Sequence, residues 1–119
     1  EGLKEGLKKM HELEKEFDEN LFVPGTKEGL NVELDKAIHL RDFFTMGQLV
    51  AFDALSRNES CGGHFREEYQ TEEGEAKRDD KNYFYVGCWE YKGKGNEPEL
   101  IKEPLEYEAI KVQTRNYKN

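Results

Sequence analysis

Apolar positions near the start of the chain recur at intervals of three and four. Leu3, Leu7, Met10, Leu13 and Phe17 form one stripe, with Glu14 able to take the place of Leu13, and lysines and glutamates fill the other faces. That spacing predicts an amphipathic helix over residues 3–18, with minor support from i,i+4 pairs such as Glu5–Lys9. Pro24 and Gly25 interrupt the pattern, and the proline disfavours helix at Val23. Asn31 is an N-cap candidate, with Glu33 and Asp35 in the first turn, where the helix dipole favours acids. A second, longer helix runs from there to about Asn58. Its apolar residues, among them Leu34, Ile38, Phe43, Met46, Val50 and Leu55, cover more than one stripe. A helix apolar over most of its circumference is buried on several sides, and the first helix covers only one of them.

Beyond Ser60 the period is lost. Cys61-Gly62-Gly63 predicts a helix stop. The charged stretch to Lys81 is long for a structureless loop, which points to a functional segment or one laid against a partner. Residues 83–91, YFYVGCWEY, have the aromatic and β-branched content of a strand. KGKGNEP is a turn, and ELIKEPLEYEAIKV predicts a returning strand interrupted by Pro104, which fits an edge or the end of pairing. The expected fold is α+β: an antiparallel helical bundle of two to three helices, a long loop and a C-terminal β-hairpin. It reads as a single domain with a helical part over 1–58, a charged motif loop over 59–82 and a hairpin tail over 83–119. An isolated hairpin is marginal, so this one is expected to lie on the helices or on a partner.

Composition narrows the function. A chain of 119 residues buries only about two-thirds of its unfolded surface, enough for one modest core. Charged residues make up 37% and hydrophobic ones 35%, with a mean hydropathy of -0.99; the 7 Phe, 6 Tyr and 1 Trp still supply packing material. The net charge of -8 argues against nucleic acid and against direct docking on an anionic membrane. No apolar run approaches the roughly 20 residues of a membrane span. The N-terminus does not resemble a signal peptide, and the missing initiator Met at Glu1 points to a fragment. Two cysteines, Cys61 and Cys88, are too few for a disulfide scaffold and read as free thiols in a reducing compartment.

The most distinctive segment is Ser60-Cys61-Gly62-Gly63-His64-Phe65-Arg66-Glu67-Glu68-Tyr69. Arg57-Asn58-Glu59-Ser60, a glycine at 62, His64-x-Arg66-Glu67 and an aromatic at 69 resemble the signature of the C-terminal domain of succinate dehydrogenase and fumarate reductase flavoproteins; aspartate oxidase has a looser version. Glu16 to Gly25, Glu33 to Asp42, Lys77 to Asp80, Trp89 to Tyr91 and Thr114 to Lys118 resemble other parts of that domain in the same order. Many members of the family have Arg where this chain has Cys61. The Ser-Cys-Gly-Gly-His-Phe-Arg version, continued by Gln70 to Ala76, resembles a bacterial branch associated with menaquinone and a single cytochrome b anchor.

The resemblance implies an intact subunit that interconverts succinate and fumarate through FAD and passes electrons to an iron–sulfur subunit and a quinone. Its partners would be the upstream FAD-binding and capping domains and the iron–sulfur subunit, with the membrane anchor reached only indirectly, on the inner face of a bacterial membrane. The flavin fingerprint and the catalytic arginine lie upstream in the family, so this piece is expected to be inactive alone and to bind no FAD. Gly93-Lys94-Gly95 lies between two strands rather than opening a helix. Arg66 is not assigned the family's proton-donor role. Arg57, Glu59, Ser60, His64, Arg66, Glu67 and Tyr69 are expected to form the interface with the flavin domain, with His64, Arg66 and Glu67 as an ion-pair and hydrogen-bond cluster.

Other chemistry fares worse. Cys61, His64 and Cys88 lack a CxxC and a fourth ligand for zinc. A Cys61–His64 hydrolase lacks an orienting third group, and neighbours three apart rarely face each other productively. His11 and His39 read as surface histidines. The aromatic strand reads as contact surface rather than a base-stacking platform. The apolar surface of residues 34–55 is expected to be exposed or covered by self-association. The competing function is a free-standing protein-interaction module without a redox role.

Overall fold

A computed structural model describes residues 1–26 and 28–113. The elements are α1 (Gly2–Asn20), α2 (Val32–Ser56), a short α3 (Asp80–Tyr83), β1 (Tyr85–Glu90) and β2 (Glu99–Pro104). The α+β arrangement of helices followed by a hairpin is the one the periodicity predicts. The chain forms two compact units that meet between Arg57 and Asn58.

The first unit is a helical hairpin. Phe17 stacks edge-on against Phe44 with centroids 5.5 Å apart, and Gln48 Nε2 donates to Glu14 Oε2 at 2.6 Å. Arg41 pairs with Asp18 and lies over the Phe17 ring. Met10 sits so close to Gly47 that an added Cβ would come within 3.3 Å of its sulfur. Residue numbers rise along α1 as they fall along α2, so the helices are antiparallel. The connector is fixed by Asn31, whose Oδ1 accepts from Leu34 N at 3.1 Å while its Nδ2 donates to Pro24 O at 3.2 Å. Gly25 has φ +124°, and a side chain there would meet Asn31 Nδ2 at 2.5 Å, so glycine is required. Among the described residues no hydrophobic side chain is fully buried.

Three boundaries differ from the sequence reading. The first strand spans Tyr85–Glu90 rather than 83–91, because Tyr83 closes the short α3, which Asp79 caps, and Phe84 is its C-cap. α2 ends at Ser56 rather than near Asn58, because Arg57 is extended at φ -98°, ψ 102°; Gly62 and Gly63 lie farther on and do not cap it. The returning strand stops at Pro104, which has no N–H for the ladder.

In the second unit β1 and β2 pair antiparallel with Trp89 opposite Leu100 and Cys88 opposite Ile101. Lys92 clamps the hairpin end by bonding Glu90 and Glu99 at 2.7 Å each. After β2, Leu105 N donates to Phe84 O at 3.2 Å, and Tyr107 packs edge-on against Phe84 at 5.8 Å.

Candidate functional site

The segment from Asn58 to Asp80 folds around two polar residues. Ser60 is 0% exposed and Glu59 3%. Burying such groups is costly unless each finds a hydrogen-bond partner. Ser60 N donates to Lys77 O at 2.9 Å. Its hydroxyl accepts from Arg66 N at 2.8 Å and donates to Arg66 O at 3.2 Å. Glu59 Oε2 accepts from Asp79 N at 2.9 Å. The dipeptide thus ties the start of the segment to its middle at Arg66 and to its end at Lys77 and Asp79.

Between these ties the backbone turns twice. Cys61 and His64 exchange N–H···O bonds of 2.8 and 3.1 Å across Gly62-Gly63, with Gly62 at φ +60°. This tight turn sets the Cys61 backbone opposite that of His64 as an antiparallel bridge. A second turn closes where Thr71 N donates to Glu75 O at 2.8 Å, next to the backbone pair of Gln70 and Ala76.

Arg66 is committed to this fold. Its side chain is only 12% exposed. Nη1 donates to Asn58 Oδ1 at 2.9 Å, and the guanidinium lies 5.1 Å from the Tyr69 ring centroid. Its carboxylate partner is Glu68, 3.6 Å away. This corrects the expected Arg66–Glu67 pair: the two glutamates are adjacent, and it is Glu68 that lies against the guanidinium, while the Glu67 carbonyl accepts from Gln70 Nε2 at 2.8 Å. Hydrogen bonding from its own backbone N–H, and then from Arg66, holds the Glu68 carboxyl below its usual range.

At the end of the segment Asp79 caps α3 by accepting from Asn82 N at 3.2 Å. Arg78 donates Nε and Nη2 to Asp80 Oδ1 at 2.9 and 2.6 Å, and Nη1 to Gln113 O at 3.4 Å. The Asp80 bond raises the Arg78 pKa, with Cys61 and Glu59 adding smaller electrostatic support. Of the seven expected site residues, Glu59, Ser60 and Arg66 meet in this lattice, with Tyr69 against Arg66. His64 joins through its backbone, and the Glu67 side chain is exposed. Arg57 ends the helical unit. Sequence reasoning missed Lys77 and Asp79 as anchors. Asp79 carried a signal as an N-cap residue before Asp80-Lys81-Asn82; Lys77 contributes backbone atoms and carried none.

The lattice fixes the two turns of the loop and joins its start to its end at Lys77 and Asp79. Among the described residues no three His, Cys, Asp or Glu side chains are placed to hold a metal ion, and no helix is long and apolar enough to cross a membrane.

The model of one protein family, fumarate reductase flavoprotein C-term, matches residues 1–117. The chain belongs to that family, the C-terminal domain of succinate dehydrogenase and fumarate reductase flavoproteins. Comparison with curated proteins and with solved structures returns no match. The family's flavoproteins contain FAD, but among the described residues the glycine pair Gly93 and Gly95 does not form a pyrophosphate cradle. Gly93 and Gly95, at φ +97° and +82°, shape the turn between β1 and β2, where Asn96 Nδ2 donates to Lys92 O at 3.0 Å. A strand follows that turn, not a helix N-terminus. At the start of α2 the Asn31 side chain already accepts from the first turn. The terminal motif Thr114 to Lys118 lies outside the described residues.

Proposed function

We propose that the chain is the structural and interface domain of a flavoprotein subunit that interconverts succinate and fumarate through FAD and delivers electrons through an iron–sulfur subunit to quinone. The observation that carries this is the family match over residues 1–117. The geometry agrees with a supporting role. Arg66, whose residue type matches the proton donor the family places upstream, is held by Asn58, Glu68 and Tyr69, and the absence of a fully buried apolar side chain among the described residues suits a domain that completes its core on a partner.

In this reading the flavin-binding and capping domains of the same subunit cover the outer faces of the domain. Glu59 and Ser60 hold the motif loop from inside. Exposed Phe65, Glu67 and the Gly62-Gly63 turn make the contact. The subunit sits peripherally on the inner face of a bacterial membrane through its iron–sulfur partner, and the membrane anchor does not touch this domain.

The test uses the native gene product containing residues 1–119. Flavin absorption together with succinate-dependent reduction of an artificial acceptor, or fumarate-dependent oxidation of a reduced dye, is the expected result. A product without flavin and without either activity overturns the redox assignment and leaves a protein-interaction module.

A further inference from the structure

We draw no further inference here: the strongest candidate, the apolar surface of the connector between α1 and α2, where Phe22 is 85% and Leu30 91% exposed, carries nothing because nothing in the structure shows what covers it.

Discussion

Replacing Ser60 with alanine removes one oxygen from the least exposed point of the motif loop. The hydroxyl is both acceptor for Arg66 N at 2.8 Å and donor to Arg66 O at 3.2 Å, and at 0% exposure water cannot replace it. The variant leaves a buried N–H without its acceptor, which costs about 1–3 kcal/mol. The lost volume is a single oxygen, so the cavity contribution is small by comparison. Trp89 is the chain's one tryptophan and lies in β1 of the same unit, so its fluorescence follows the relevant transition. With a urea dependence of about 1–3 kcal/mol per M for a small domain, the midpoint should fall by roughly 1 M. Glu67→Ala, at an exposed side chain, should move it within about 0.5 kcal/mol. In native-state exchange the Arg66 amide should lose its protection in Ser60→Ala. An unchanged midpoint and an Arg66 amide still protected would refute the claim that the loop is built on this hydroxyl.

Glu59→Ala leaves Asp79 N, bonded at 2.9 Å to a carboxylate 3% exposed, without its acceptor, and should destabilise the same transition by about 1–3 kcal/mol; Glu59→Gln, which keeps an oxygen, should cost less. Asn31→Ala removes the α2 cap and the tie to Pro24 and should lower helical circular dichroism stability by about 1 kcal/mol, whereas Asn31→Asp should restore the cap. In the hairpin, Lys92 lowers the Glu99 carboxyl below its ordinary 4.5, so that contribution is present above 4.5 and is lost as pH falls through the lower folded value. Glu90 and then Glu99 raise Lys92 above its ordinary 10.5, so that contribution is present below 10.5 and is lost as pH rises through the higher folded value. Trp89 fluorescence of the folded chain should therefore be steadiest between 4.5 and 10.5, and Glu99→Gln should shrink the acid change; a variant whose acid change equals that of the parent would contradict the pairing.

The helices and the hairpin were legible in the sequence because local spacing fixes them. Leu3, Leu7, Met10 and Phe17 define a face whatever covers it, and the aromatic and β-branched content around Tyr85 to Glu90 marks a strand that pairs with Glu99 to Pro104 across a glycine turn. The excess of apolar residues around α2 was legible too, and Phe43, Met46 and Val50 are exposed as that excess implies. Other features were hidden because they depend on contacts between residues far apart in the chain. Nothing local marks Ser60 and Glu59 as the buried pair, since Lys77 and Asp79, some twenty residues later, complete their bonds. The choice of Glu68 over Glu67 depends on where the backbone directs two adjacent identical side chains. The early end of α2 comes from an extended Arg57, where Gly62 and Gly63, five and six residues beyond the cap, were the more visible stop signal.

In the proposed function the apolar surface of α2 closes on the flavin-binding part of the same subunit, and hydrogen exchange over residues 34–55 tests that most directly. The measurement compares the isolated 1–119 chain with the native gene product that contains it. Markedly slower exchange of this stretch in the native product is the predicted result; equal exchange in the two would contradict it.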